Sequence, residues 1–241
     1  MVSLVVIVGW FLSPNVLQYL SQQECFKLEE VCFTGNEHIE ETDLLSLLPE
    51  VIGINLFSLD LNIIKHAVLQ HPWVLEASVH RRLPDRLLIR VEEKQPVALV
   101  KLKTLQAISA SGDLLPLDKW HGAIDLPLIQ AAKFQNSLKD DKINNRRLMD
   151  ITRSVAALKK RIPDLWLLIS EITLDRKGRI VMYPSCSHTC ILVGDELGWQ
   201  QMRDFYSFII FQGSPNGMVD ISFVDLRFRG KVIVRRTSSD T

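Results

Sequence analysis

The chain has 241 residues with 28 basic and 28 acidic side chains, so its formal net charge is zero, and 47% of its residues are hydrophobic. This content supports one large domain or two modest ones, and the balanced charge excludes the basic footprint that most nucleic-acid-binding proteins carry. We therefore expect a globular protein that binds no nucleic acid.

The N-terminal segment determines the expected compartment. Residues 1–23 contain no Asp, Glu, Lys or Arg, and residues 2–12 are almost wholly apolar. Because about 20 helical residues cross a hydrocarbon core of about 30 Å, we interpret residues 1–23 as a transmembrane anchor. A signal peptide and a buried N-terminal helix are the alternatives, although the basic start and small-residue cleavage site of a signal peptide are missing.

The following segment, residues 26–96, is predicted to have the order β-α-α-β-β. An apolar run over residues 26–33 indicates the first strand, which ends at Thr34-Gly35-Asn36. A short helix with acidic residues at its start follows, and Pro49 stops it. Asp60 is the expected N-cap of a second helix, which ends before Pro72.

Alternating apolar and polar residues then predict a hairpin. The turn is assigned to Leu83-Pro84-Asp85-Arg86, which makes the two strands antiparallel. Period two places one set of side chains of each strand in the core. These sets are Trp73, Leu75, Ala77 and Val79 in the first strand and Leu87, Ile89 and Val91 in the second.

A change of pattern beyond Pro96 indicates a second domain over residues 96–236, rich in strands and interrupted by two helices. An apolar spacing of 3, 4, 3 and 4 predicts an amphipathic helix over residues 144–162, ended by Pro163. A second helix is predicted over residues 196–212, with Trp199, Met202, Tyr206 and Ile209 on one side. The polar tail at residues 237–241 is expected to be mobile.

No segment of the sequence predicts an active site. It contains no Gly-rich phosphate loop, no Gly-x-Ser-x-Gly elbow and no His-Glu-x-x-His helix. His66 and His71 have no carboxylate or cysteine at ligand spacing, so we interpret them as surface or rim residues. We expect no catalytic residue, no cofactor and no small-molecule substrate.

The segment around Cys186, His188 and Cys190 crowds three metal-binding side chains into five residues without a second cluster to complete a tetrahedron. A hairpin turn explains it better than a metal site, and no metal is expected. A disulfide between Cys186 and Cys190 is an alternative in an oxidising compartment.

Binding is the remaining expected function, because an exposed sheet edge can accept an extended segment of another chain. The final strand, predicted over residues 231–235, is rich in β-branched residues and is the leading candidate edge. Protection of that edge against aggregation by its basic residues is the alternative.

Together these residues resemble the FtsQ/DivIB family of bacterial cell-division proteins. The first part of the chain resembles the POTRA domain of this family, and the second part resembles its β domain. The POTRA-like motifs are Thr34-Gly35-Asn36, Gly53-Ile54-Asn55-Leu56-Phe57, Pro72-Trp73-Val74 with Ala77 and Val79, Leu83-Pro84-Asp85, and Val91-Glu92-Glu93-Lys94-Gln95-Pro96-Val97-Ala98. The motifs of the second part are Ser111-Gly112-Asp113-Leu114-Leu115-Pro116 and Val224-Asp225-Leu226-Arg227-Phe228.

The resemblance implies an α+β protein with a transmembrane anchor at residues 1–23, a POTRA domain at 26–95 and a β domain at 96–236. It implies a non-enzymatic divisome scaffold in the cell inner membrane, single-pass, with the bulk of the chain periplasmic and at the division septum. A basic cytoplasmic tail before the anchor is a family feature missing here, so we expect the reading frame to continue upstream of Met1.

The resemblance also implies partners, namely FtsB-like and FtsL-like single-span proteins at the last strands and further division proteins at the POTRA domain. By position, the partner-binding residues would be Phe228, Lys231, Val232, Ile233 and Val234. Two other classes stay open: a POTRA-containing component of an outer-membrane assembly or secretion system, and a secreted cell-wall hydrolase. The length after Pro96, with two amphipathic helices, does not fit the transmembrane barrel that the first of these classes requires.

Overall fold

A computed structural model describes residue 20 and residues 23–102, 104–130, 138–139, 142–143, 146–212, 218 and 220–237. The predicted transmembrane anchor therefore lies almost wholly outside the described residues, as do four of the five residues of the predicted mobile tail. None of the helices formed by the described residues is long and apolar enough to span a membrane. The chain divides into two compact units, one of Met1–Lys94 with Lys119–Gly122 and one of Gln95–Asp118 with Ala123–Thr241.

Within the first unit, residues 23–94 form a three-stranded sheet and two α-helices. Its strands occur in the order β1-β3-β2, with β1 parallel and β2 antiparallel to β3. The predicted order β-α-α-β-β is therefore confirmed. The elements are β1 (Glu30–Thr34), α1 (Glu41–Ser46), α2 (Leu61–Val68), β2 (Val74–Arg82) and β3 (Arg86–Glu93), with short 3-10 turns at Glu24–Phe26 and Leu56–Ser58.

Local signals explain why these elements form where they do. The Asp60 carboxylate accepts a hydrogen bond of 2.9 Å from the Asn62 backbone N–H, as expected for an N-cap, and α2 starts at the next residue. On its inner side α2 buries Ile64 and Val68. On β3 the predicted inward set is confirmed, because Leu87, Ile89 and Val91 are all buried.

The predicted alternation on the first hairpin strand is wrong at Leu75. The register of β2 against β3 shifts between Val74 and Glu76, which is a β-bulge. Because a bulge adds one residue to the strand, it changes which side chains face inward. Val74 is consequently buried and Leu75 is 54% exposed, whereas Trp73 and Ala77 are buried as predicted.

The interpretation of His71 as a surface or rim residue is also wrong, since its side chain is only 4% exposed. It lies in the turn after α2, and its Nδ1 accepts from the Trp73 backbone N–H at 3.4 Å. Burial lowers the pKa of His71, because removal from water disfavours the charged imidazolium. His66, one turn earlier, is exposed as predicted.

The second unit contains a nine-stranded mixed sheet in the order β14-β13-β12-β11-β10-β7-β4-β5-β6, and a separate pair of short strands, β8 and β9. Its first strands are β4 (Pro96–Lys101), β5 (Leu105–Ser109), β6 (Leu114–Pro116), β7 (Leu128–Gln130), β8 (Leu138–Lys139) and β9 (Lys142–Ile143). The later strands are β10 (Ile169–Leu174), β11 (Ile180–Pro184), β12 (Cys190–Gly194), β13 (Ile221–Asp225) and β14 (Ile233–Arg236). The protein is thus of the α+β class, with mixed strand directions.

The helices formed by the described residues of this unit are α3 (Arg146–Arg161), α4 (Pro163–Leu168) and α5 (Trp199–Phe211). The predicted stripe of α3 is confirmed, because its apolar residues from Leu148 to Leu158 are buried in the core cluster. Pro163 ends α3 as predicted. It also starts α4, a helix that the sequence did not predict. Proline suits the first helical position, because the backbone N–H that it lacks would have no hydrogen-bond partner within the helix.

The predicted inner face of α5 is only partly correct. Met202 and Ile209 are buried, whereas Trp199 is 40% exposed and the Arg161 guanidinium lies over its ring. Phe205, three residues after Met202, is fully buried instead. The buried stripe is thus Met202, Phe205 and Ile209, which has the i, i+3, i+7 spacing of a helix face.

Candidate partner-binding edge

The last strand, β14, lies at one end of the nine-stranded sheet. It pairs antiparallel with β13, with Phe223 opposite Arg235, Val224 opposite Val234 and Asp225 opposite Ile233. Among the described residues no strand pairs with its other side. Such an edge presents backbone N–H and C=O groups that a strand from another chain can bind.

Hydrogen bonds to β13 identify the groups that point away from the sheet. The Arg235 carbonyl accepts from the Ser222 hydroxyl at 3.2 Å, and the Thr237 N–H donates to the Asp220 carbonyl at 2.8 Å. Residues 235 and 237 therefore direct backbone groups towards β13. Since this direction alternates along a strand, the N–H and C=O of Val234 point to the open side.

The predicted partner-binding residues lie close together along the chain but differ in exposure. Phe228 is 50% exposed and Ile233 is 47% exposed. Val232 and Val234 are partly buried and pack against the core of this unit. Whether these residues bind a partner stays a prediction.

The predicted start of the last strand is wrong by two residues. β14 begins at Ile233, and Lys231 and Val232 precede it. The reason is a turn in which the Lys231 N–H donates to the Phe228 carbonyl at 3.1 Å, and in which Gly230 has a φ of 69°. A left-handed residue at this point favours glycine and ends extended backbone.

An ion pair between Asp225 and Arg227, which the sequence did not predict, shapes the connection from β13 to β14. The Arg227 Nη2 and Nε donate to the Asp225 carboxylate at 2.7 and 2.9 Å, and the Arg227 backbone N–H donates to it at 3.1 Å. Asp225 is buried, and these hydrogen bonds from Arg227 hold the pKa of its carboxyl below the ordinary value. The Val-Asp-Leu-Arg motif contains a sequence signal for this ion pair, because its carboxylate and its guanidinium are two residues apart.

The guanidinium of this ion pair lies near the Phe228 ring, in the connection between β13 and β14. The Arg227 guanidinium carbon lies 5.6 Å from the centroid of the Phe228 ring, and that of Arg235 lies 5.7 Å from the ring of Phe223. Both distances are within the range of cation–π attraction. The edge therefore combines open backbone groups with half-exposed aromatic and aliphatic side chains, an arrangement suited to binding another chain.

The described residues offer little for metal or redox chemistry. They contain no group of three or more His, Cys, Asp or Glu side chains placed to hold a metal ion. The structure forms no disulfide between Cys186 and Cys190, which was the alternative for this segment. Burial raises the pKa of the Cys190 thiol, which disfavours its reactive thiolate form. The predicted hairpin turn between β11 and β12 is confirmed.

Comparison with known proteins identifies the first unit. Residues 26–94 match the family model described as the POTRA domain, FtsQ-type. The chain is similar to the cell division protein FtsQ of Syntrophotalea carbinolica, with 30% identity over 178 residues that cover 72% of this chain and 60% of the relative. For the FtsQ of Myxococcus fulvus the identity is 28% over 170 residues, which cover 70% of this chain and 60% of the relative.

A third relative extends the similarity along the chain. The FtsQ of Geotalea daltonii is 23% identical over 211 residues, which cover 88% of this chain and 76% of the relative. The match spans 60% of the length of each of the first two relatives. The predicted resemblance to the FtsQ/DivIB cell-division proteins is therefore confirmed, and residues 26–94 form a POTRA domain of the FtsQ type.

Proposed function

We propose that this chain is a non-enzymatic scaffold of the bacterial cell-division machinery with an FtsQ-like role. The observation that carries the proposal is the extent of the similarity: the three relatives, each named cell division protein FtsQ, match 170 to 211 residues of the chain, well beyond the POTRA domain at residues 26–94. A shared POTRA domain alone would support only a shared module. Similarity across both units supports a shared role.

The proposed role has a defined location. The chain acts at the division septum, held in the cytoplasmic membrane by a single anchor at residues 1–23, with both folded units outside the cytoplasm. The uncharged, apolar N-terminal sequence supports the anchor, and the relatives' name, cell division protein, supports a place in division.

The proposed mechanism is recruitment by β-augmentation. An FtsB-like partner, in complex with an FtsL-like one, adds a strand to the open side of β14. Its backbone bonds the outward groups of Val234, and its side chains contact Phe228 and Ile233. The open edge and the 50% and 47% exposure of these two side chains support this mode.

Substitution Val232→Pro tests the mechanism at the backbone. Among the described residues no hydrogen bond is formed by the Val232 N–H, so proline removes a donor from the edge while the pairing of β13 with β14 is kept. We expect capture of a purified FtsB-like partner by the full chain to weaken at least about tenfold, since open backbone donors supply the affinity in strand addition. Phe228→Glu should weaken capture to a similar degree.

Phe211→Glu is the control for Phe228→Glu, because Phe211 is 87% exposed and lies on α5, not on β13, β14 or their connection. It should leave capture unchanged. All variants are compared by circular dichroism to establish that they remain folded. Wild-type capture by a folded Val232→Pro chain would refute strand addition at β14, and failure of the wild-type chain to restore septation in FtsQ-depleted cells would refute the cell-division role.

A further inference from the structure

The side chain of Asn55 binds the end of the proposed anchor segment, residues 1–23. Its Nδ2 donates to the Leu20 carbonyl at 3.0 Å and to the Gln23 carbonyl at 2.9 Å. Leu20 has helical backbone. Because carbonyls at the C-terminal end of a helix lack N–H partners within the helix, a side-chain amide beside them supplies the donors that they need.

The Asn55 amide is itself held in this orientation. Its Oδ1 accepts from the Phe57 backbone N–H at 2.9 Å, so Asn55 is the N-cap of the 3-10 turn Leu56–Ser58. An amide turned the other way would set its oxygen against two carbonyl oxygens and lose the cap. Asn55 is also partly buried, and its backbone forms an antiparallel bridge with Lys27.

Further contacts join the chain between the anchor segment and β1 to residues 53–57, which we call the anchor clasp. The Phe26 and Phe57 rings meet edge to face, with centroids 5.2 Å apart and an interplanar angle of 86°. The Leu28 N–H donates to the Ile54 carbonyl at 2.9 Å. The clasp therefore holds this chain at both ends, with Asn55 at the end nearer the anchor segment.

The bonds from Asn55 also limit how far the first unit can lie from the anchor segment. About ten residues separate Leu20 from Glu30, the start of β1, and a free chain of that length could extend about 35 Å. The hydrogen bond to Asn55 instead keeps the Leu20 carbonyl at 3.0 Å from a side chain of the first unit.

We propose that the anchor clasp couples the membrane anchor to the first unit, so that the two move as one body. Asn55 is the positioning residue of this coupling, because its amide bonds the chain on the anchor side. The clasp sets the orientation in which the first unit is presented at the membrane surface. This inference rests on the proposed function in one respect, namely that residues 1–23 hold the chain in the membrane.

Asn55→Asp separates the clasp from the cap. Aspartate keeps an oxygen for the Phe57 N–H, since Asp and Asn are equally good caps, but it has no donor for the two carbonyls of the anchor segment. Hydrogen exchange of the full chain in lipid nanodiscs measures the effect. We expect the Phe26 and Lys27 amides, which are hydrogen-bonded in the turn after the anchor segment, to exchange at least about tenfold faster than in the wild type.

Asn62→Asp is the matched control, because it makes the same change of charge at an exposed asparagine on α2 of the same unit. It should change exchange at Phe26 and Lys27 by less than about twofold. The β3 amides should exchange alike in all three chains. Wild-type exchange at Phe26 and Lys27 in the Asn55→Asp chain would overturn the proposal. Equally faster exchange at β3 would do the same, because Asn55 would then stabilise the whole unit.

Complementation of FtsQ-depleted cells separates this inference from the proposed function. A wild-type chain that does not sediment with membranes, or does not restore septation, counts against the proposed function; the exchange measurement, repeated in detergent micelles, still decides whether the clasp holds. Where the wild type restores septation, Asn55→Asp should restore it less efficiently than Asn62→Asp at equal amounts in the membrane. Equal restoration by the two variants would refute the coupling of the anchor to the first unit.

Discussion

Neighbouring residues Glu92 and Glu93 show how one strand position decides the role of a carboxylate. Glu92 is exposed, whereas Glu93 is 7% exposed. Glu93 accepts hydrogen bonds from the backbone N–H groups of His38 and Ile39 at 2.8 and 3.0 Å, and its second oxygen lies 2.9 Å from Nδ1 of His38. From its position on β3, Glu93 therefore accepts the hydrogen bonds of two backbone N–H groups that lie just before α1.

Glu93→Ala removes the acceptor of two backbone N–H groups in one step. We expect the free energy of unfolding of the first unit to fall by about 2–3 kcal/mol, because a lost hydrogen bond to a charged group is accompanied by donors left without a partner. Chemical denaturation of the full chain measures this change. Glu92→Ala is the matched control and should change the free energy by no more than about 0.5 kcal/mol; equal effects would contradict this role of Glu93.

The sequence predicted the alternation that separates these two glutamates but not the partner of Glu93. Period two along β3 requires neighbours to point to opposite faces, and this is a local property. The contact with His38 joins residues 55 positions apart in the sequence. Only the fold determines which backbone groups lie opposite an inward-facing carboxylate.

At the scale of the elements, the turn after β1 determines how closely β1 approaches β3. Gly35 has a φ of 84°, and a Cβ added to it would overlap the Val91 backbone oxygen. Gly53 has a similar φ of 81°, but a Cβ there would meet no atom within 4 Å. Both positions favour glycine for their backbone conformation, and only Gly35 also requires it for space.

This difference makes Gly35→Ala and Gly53→Ala a matched pair. Gly53→Ala should lower the free energy of unfolding by about 1 kcal/mol, the cost of a left-handed conformation for a residue with a Cβ. Gly35→Ala should lower it by at least about 2 kcal/mol more, because β1 must shift away from β3. Thermal and chemical denaturation of the two variants test this order. If the Gly35→Ala and Gly53→Ala chains had the same free energy of unfolding, β3 would move to accommodate the added Cβ at little cost, which would contradict this prediction.

Element types followed from local patterns, but some residue positions did not. Caps, prolines and periodicity predicted α2, α3 and the β2–β3 hairpin. The bulge that exposes Leu75 was not predicted, because it depends on how β2 pairs with β3 and not on the composition of β2. The late start of β14 depends similarly on the turn at Gly230.

At the scale of the whole molecule, a segment from the middle of the chain completes the first unit. Lys119–Gly122 belongs to this unit, although the residues on both sides of it belong to the second. Trp120 stacks on His38 with ring centroids 3.9 Å apart and lies 4.4 Å from Trp73. The His121 N–H donates to the His38 carbonyl at 3.0 Å.

Trp120→Ala tests whether this segment stabilises the first unit. Loss of two aromatic contacts should lower the local free energy of unfolding by about 2 kcal/mol, which reduces hydrogen-exchange protection of the β3 amides about thirtyfold. Trp199→Ala is the control, because Trp199 lies on α5 in the second unit. It should leave β3 protection unchanged. Unchanged protection in Trp120→Ala would show that the segment adds nothing to this unit.

By itself the sequence determined the succession of elements, the α+β class and the resemblance to FtsQ/DivIB, because turns, caps and periodicity are encoded over a few neighbouring residues. Only the tertiary structure decided that β14 is an edge, that His71 is buried and that Lys119–Gly122 joins the first unit. Each of these depends on which distant segments meet. Pairing between segments far apart in the chain is set by the packing of the whole core, which no local window of sequence contains.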